Sequence, residues 1–205
     1  AGGLAPQERE NRRCPIGMPG GAKLCGRAKR EKFSFEMNRN KKNGEIGMVV
    51  PFFNACPCTQ RWGMRDFYKF LETKKLGNAL TEDLIKNAPL QAHTNRGTLT
   101  LTLKKTKAGF KDIYQILEKS SPIIRELLKG EDEHAFVKRG HTLALFCEDL
   151  ARETALNTFL HLRTESNKDA IIKIIVDADE SVHFHNLYCE IDMTLGELTS
   201  YLKSR

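Results

Sequence analysis

The chain has 205 residues, 40% of them hydrophobic and 29% charged, which suits an ordinary soluble globular protein with room for one large domain or two small ones. No stretch approaches 18 uninterrupted apolar residues, so a transmembrane helix is not expected, and Ala1 to Pro6 lacks the apolar core of a signal peptide behind a basic start. The net charge of +7 belongs to residues 1–44, which hold 11 Lys+Arg against 4 Asp+Glu; the remaining 22 of each cancel, which argues against a body that is basic throughout.

Residues 1–44 read as a basic, irregular arm, with Gly2-Gly3, Pro19-Gly20-Gly21 and a cationic cluster from Arg27 to Lys32. Only Phe33-Ser34-Phe35 alternates like a short strand. Such an arm can meet a polyphosphate, a nucleic acid or an acidic neighbour, or remain a solvated tail. Residues 45–205 form the expected catalytic region.

Glu45 to Phe53 is an apolar run with Val49-Val50, and reads as a buried strand leading into the turn Cys56-Pro57-Cys58. Arg61 to Lys75 has helical spacing at Met64, Phe67, Tyr68 and Leu71, and Thr81 is placed to cap a second short helix over 82–87. Thr98 to Leu103 alternates threonine and leucine, the period of a half-buried strand. Phe110, Ile113, Tyr114 and Leu117 mark an amphipathic helix; Pro122 breaks or restarts it, and Ile123 to Leu128 continues. A helix is expected over Leu143 to Thr154, and an inner strand over Ala170 to Val176. Val182 to Cys189 alternates again, and Thr194 with Glu197 forms a capping box before a last helix over 195–202. The order of elements predicts an α+β fold with mostly antiparallel strands.

The six cysteines do not read as a disulfide framework in a chain of this length without a secretory leader, so reduced thiols are expected. A thiolate at a strand end is a rigidly held ligand for zinc or iron. One residue between Cys56 and Cys58 is too few for a zinc-ribbon pair, so one of the two ligates while the other assists or packs; alternatively both are buried thiols in a turn. His93-Thr94-Asn95-Arg96-Gly97 opens the Thr-Leu strand. It offers a histidine for proton transfer near neutral pH and an arginine fork for a phosphate. In Glu180-Ser181-Val182-His183-Phe184-His185, a strand conformation would set His183 and His185 on one face, downstream of a carboxylate. Glu131-Asp132-Glu133 and Glu148-Asp149 add carboxylates, either to a metal shell or to the edge of a guanine, where a buried carboxylate accepts from the ring N–H and the amino group. No P-loop, Gly-x-Ser-x-Gly elbow or His-Glu-x-x-His occurs.

In order, Cys56-Pro57-Cys58, His93 to Gly97, Lys129 to Glu133, Phe146-Cys147-Glu148-Asp149 and Glu180 to His185 resemble the pattern of the type B GTP cyclohydrolase I family, including its archaeal branch. The family pattern has Asn-Gln where this chain has Thr94-Asn95, and Arg-Pro where it has Gly130-Glu131. The resemblance spans roughly residues 45–190 and implies a tunnelling fold: antiparallel sheets with paired helices, two modules per chain, and a homo-oligomer (a dimer or tetramer) with active sites at its interfaces. It implies a divalent metal, whether zinc, manganese or iron, with Cys56, Glu133, Glu180 and His183 as ligands. Catalysis falls to His93, His183, Glu180 and Cys56, and GTP contacts to Glu148, Arg96 and His185. The implied reaction releases formate from GTP and gives 7,8-dihydroneopterin triphosphate or its 2′,3′-cyclic phosphate form, the first step of folate and pterin biosynthesis, in the cytoplasm. Another tunnelling-fold enzyme of pteridine or deazapurine metabolism is the alternative. A basic nucleic-acid-binding protein is the weaker one, since basic and aromatic residues are not interleaved.

Overall fold

The Thr-Leu alternation at 98–103 sits at the centre of a sheet, where its period of two sends every leucine to one face. The computed structural model of the chain describes residues 35–40, 44–88, 92–125, 128–163 and 168–204. Most of the basic arm, with Cys14, Cys25 and the expected strand residues Phe33 and Ser34, lies outside them.

Among the described residues five strands follow in chain order: β1 (Glu36–Asn40), β2 (Glu45–Ala55), β3 (Thr94–Lys104), β4 (Ile171–Asp179) and β5 (Leu187–Thr194). They lie side by side in that same order, every neighbouring pair antiparallel. Between β2 and β3 come α1 (Pro57–Thr73) and α2 (Asn78–Asn87), which pack on one another. Three helices, α3 (Phe110–Ser120), α4 (Glu131–Thr142) and α5 (Cys147–Leu162), separate β3 from β4, and α6 (Leu195–Lys203) follows β5. The architecture is α+β with an antiparallel sheet, as the sequence predicts.

The core lies on one face of the sheet. Val50 and Phe52 of β2, Leu99, Leu101 and Leu103 of β3, and Ile172, Ile174 and Val176 of β4 are all nearly or completely buried there. Helices α3 and α5 cover them with Ile113, Ile116, Leu117, Leu150 and Ala151. Each such leucine, isoleucine or phenylalanine contributes about 1.5–3 kcal/mol over its exposed state. The opposite face carries Thr98, Thr100 and Thr102 and the ion pair Lys173–Glu190 at 2.7 Å. The capping box at α6 forms as expected: the Glu197 N–H donates to Thr194 Oγ1 at 3.1 Å, and the Thr194 N–H to the Glu197 carboxylate at 2.7 Å.

Several expected elements are corrected. Strand β1 falls within the segment read as an arm, just past Phe35. Helix α1 begins at Pro57, whose fixed φ and missing N–H suit the first helical position. Thr81 does not cap α2: the helix starts at Asn78, and the Thr81 hydroxyl donates back to Gly77 O inside it. Helix α3 ends at Ser120, and the chain does not resume as a helix at Ile123. Instead the Phe53 N–H donates to Pro122 O at 3.1 Å and the Ile124 N–H to Pro51 O at 2.9 Å, so this stretch pairs with β2. Leu143 to Phe146 is a loop, and α5 begins at Cys147. Residues 181–185 form bends, not a strand, and β5 starts at Leu187.

Candidate functional site

The functional residues gather where β2, β3 and β4 end together. The last β2–β3 pair is Ala55 with Thr94, and one further backbone bond joins the Cys56 N–H to His93 O at 3.0 Å. That bond ties the Cys-Pro-Cys turn to the histidine of the second motif. Cys56 is the residue before α1, yet its side chain makes no capping bond to the helix. Cys56 is half-buried and Cys58 exposed; both are free thiols, and both line one cleft of about 310 Å³.

His93, Glu180 and His183 converge beside them. One candidate ligand atom from each lies within 4.8 Å of the other two. The His93 and His183 rings meet edge to face at 6.0 Å, and His183 stacks on His185 at 5.4 Å. The bend at 181–185 brings these histidines together by stacking, in place of the shared strand face that the sequence suggests. Ser181 Oγ stands 3.1 Å from His93 Nδ1, and the direction of that bond follows the imidazole tautomer. Glu180 is held by Asn95, whose Nδ2 donates to its Oε1 at 2.6 Å; Asn95 Oδ1 accepts from the Ser181 N–H at 3.2 Å.

Alternation along β3 separates Asn95 from Arg96. Asn95 shares the face of the buried leucines and lines the cleft, whereas Arg96 is exposed on the opposite face. Gly97 has a packing role. A Cβ there would overlap the Asp177 carbonyl and come within 2.7 Å of the Phe52 ring and 2.9 Å of Ala178 Cα, so the strands approach too closely for a side chain.

The other wall of the cleft is Leu145, Phe146 and Cys147, at the entry to α5. Cys147 is buried, and burial first, then the neighbouring Cys189, Glu148, Asp177 and Glu180 in turn, pushes its thiol up to about 12. It therefore stays protonated near neutral pH, with Sγ 3.7 Å from Val176 O. Burial likewise raises Cys189. Glu148, in the first turn of α5, is exposed beside this wall.

The donor set fits a divalent first-row metal. Two imidazoles and a carboxylate accept zinc, manganese or iron without strong selection. Two ligands on one ion stand at most about 4.2 Å apart. The three side chains therefore need only small movements to share an ion, and His183 is exposed enough to make them. Cys56 lines the same cleft but is not part of that three-residue group. Glu133 is not brought to it: it lies exposed in the first turn of α4, which packs through Phe136 on Phe53, 5.6 Å between rings.

Two residues of the site escape sequence reasoning. Asn54 is buried at the cleft, where its side chain bonds the backbone of Leu145, and Ser181 meets His93. The available signal for Asn54 is a polar residue at a core-facing position of an apolar strand, two residues before Cys56.

The family model described as type I GTP cyclohydrolase folE2 matches residues 23–189. Among curated proteins, the chain is 31% identical over 163 residues to GTP cyclohydrolase MptA 1 of Methanocella arvoryzae, covering 78% of this chain and 51% of that protein. It is 32% identical over 167 residues to GTP cyclohydrolase MptA of Methanococcoides burtonii, again 78% and 51%. With GTP cyclohydrolase MptA of Haloferax volcanii it shares 29% over 165 residues, 77% and 52% of the two chains. The chain thus spans about half the length of the curated relatives it matches.

Proposed function

Since this chain belongs to the type I GTP cyclohydrolase family, we propose that it hydrolyses GTP with a divalent metal, releasing formate and forming 7,8-dihydroneopterin triphosphate or its 2′,3′-cyclic phosphate form. The observation that carries the reading is the convergence of His93, Glu180 and His183 within 4.8 Å, with Glu180 and His183 lining the cleft that Cys56 also lines. These are the residues that motif order assigns to the metal and to proton transfer.

In this proposal Cys56, His183 and Glu180 hold the metal; Glu133 is a further ligand by motif position alone, since α4 leaves it outside the cleft. When bound, such an ion supplies Lewis acidity, bringing the ionisation of water toward neutral pH. The chain's own residues supply the rest. His93, opposite His183, takes a proton from the water that adds to C8 of guanine and returns it to the ring nitrogen as the C8–N9 bond breaks. The second hydrolysis then releases C8 as formate. Glu148 accepts from the guanine N1–H and 2-amino group at the α5 wall; a base lacking those donors would leave its carboxylate unpaired. His185, stacked on His183, limits how that imidazole turns and contacts the nucleotide. Arg96, on the opposite face, serves the triphosphate of a nucleotide held at an interface with a second subunit.

The unit β2–β3–α3–α5–β4–β5 supports a tunnelling-fold module, one of the two per chain that the resemblance implies, built into a homo-oligomer. Among the described residues no helix is long and apolar enough to cross a membrane; a cytoplasmic enzyme of folate or pterin biosynthesis is the setting we propose. Incubating the chain anaerobically with GTP and zinc, manganese or iron(II) tests the reading. Equimolar formate and, after oxidation, a fluorescent pterin are expected. Absence of formate with all three metals would refute it, and formate without a pterin would reassign the product.

A further inference from the structure

Asn54 and Asn95 are register partners on the adjacent strands β2 and β3. Both lie on the helix-covered face and both line the cleft. Each reaches out of the sheet to a different loop. Asn54 Oδ1 accepts from the Leu145 N–H at 3.2 Å while its Nδ2 donates to Leu145 O, so one amide reproduces the pairing that a neighbouring strand would offer. The same oxygen accepts from the Ala55 N–H at 2.9 Å. Leu145 stands two residues before α5, and the clasp therefore fixes where Phe146, Cys147 and Glu148 enter that helix. Asn95 does the corresponding work on the other side. The β3–β4 ladder ends at Arg96 with Asp179, and the Asn95 amide carries the pairing one step further by side chain, to the Glu180 carboxylate and the Ser181 N–H.

We propose that Asn54 and Asn95 are a pair of positioning residues that set the two walls of the site separately: Asn95 aims Glu180 and its loop for the metal, and Asn54 places the start of α5, with Glu148, for the base of the nucleotide. The inference rests on the functional reading above. Its physical basis is that neither loop is held by regular secondary structure at these points. Residues 181–185 are bends and 143–146 a loop, so the amides supply the pairing that strands would otherwise supply. A carboxylate ligand whose outer oxygen accepts a fixed N–H keeps its orientation, and loss of such a partner typically weakens metal affinity 10–100-fold. Because the two loops are held by separate amides, the two effects should come apart.

The test uses the full chain, with Zn(II) affinity measured by chelator competition and GTP binding measured calorimetrically on metal-free protein. Asn95→Asp keeps the shape, removes the donor and sets a like charge against Glu180. It should weaken Zn(II) about 10–100-fold while GTP binding stays within about twofold. Asn95→Gln, which restores an amide, should recover part of the loss. Asn54→Ala should weaken GTP about tenfold with Zn(II) within about twofold; if it does not fold, Asn54→Ser keeps an oxygen acceptor and takes its place. In turnover, the first variant should lower kcat at unchanged KM and the second should raise KM. Wild-type protein that binds Zn(II) and GTP, with variants that lose both affinities in parallel or neither, would overturn the inference alone. Wild-type protein that binds neither would overturn the functional reading, and this inference with it.

Discussion

The two ends of β3 obey one alternation and put it to opposite uses. At one end the core-facing positions are Leu99, Leu101 and Leu103, all essentially without solvent contact beneath α3 and α5. At the other, the same face carries Asn95, with Asn54 beside it and the half-buried His93 and Glu180 beyond. The apolar end is satisfied by dispersion and burial, which tolerate small shifts. The polar end is satisfied by hydrogen bonds, which fix direction. A site needs fixed direction, so the polar end is where chemistry can be done, while the apolar end determines where the strand tips stand.

Substitutions at the two ends should therefore separate function from stability. Glu180→Ala removes a carboxylate that is partly solvated, and turnover should fall on the order of 10³-fold. Its unfolding free energy in urea should stay within about 0.5 kcal/mol of the parent. A large loss of stability would show that Glu180 has a structural role that the comparison denies it. Leu101→Ala should do the reverse. Deleting a side chain with 0% exposure should cost about 2–5 kcal/mol in the same titration. The kcat of the folded fraction should change less than twofold, and a tenfold fall would mean that core packing reaches the site.

The smallest effect concerns acid. Asp112 lies beside α5 at the far end of α3, where its carboxylate accepts the Gly109 N–H at 2.8 Å and stands 2.9 Å from His161 Nε2. The Gly109 bond first, then the His161 bond, holds its ionisation below the usual carboxylate range. A lowered folded value means stability that is present above the unfolded value, near pH 4, and lost as pH falls through the folded one. In acid unfolding, Asp112→Asn should flatten that low-pH decline and leave turnover at neutral pH unchanged. An unaltered acid limb would remove Asp112 from the account.

The same contrast explains what the sequence discloses. β2, β3, β4, α3 and α6 are legible because period and capping residues act locally. The expected strand at Val182 to Cys189 is misplaced because its alternation continues into Ile191 and Met193, which with Leu187 and Cys189 pack against the core, whereas Phe184 is fully exposed in the bend. The apolar run Leu143 to Phe146 imitates a helix but is a loop clasped by Asn54, and Ile123 leaves its helix to pair with β2. The last two misses are tertiary pairings that no local pattern encodes. At the site, motif order brings His93, Glu180 and His183 to attention. The roles of Asn54 and Asn95 depend on strand register, and the exposed position of Arg96 on the face opposite the cleft depends on knowing which residues of β3 look inward.

The central proposal is that Cys56, Glu180 and His183 hold one metal, with His93 beside it for proton transfer. Cobalt(II) added anaerobically reports a thiolate ligand directly, through a near-ultraviolet charge-transfer band that imidazole and carboxylate do not give. The account predicts about one equivalent of cobalt bound per chain with that band, its loss in Cys56→Ser and its persistence in Cys58→Ser. An undiminished band in Cys56→Ser, or no cobalt uptake by the unsubstituted chain, would contradict it.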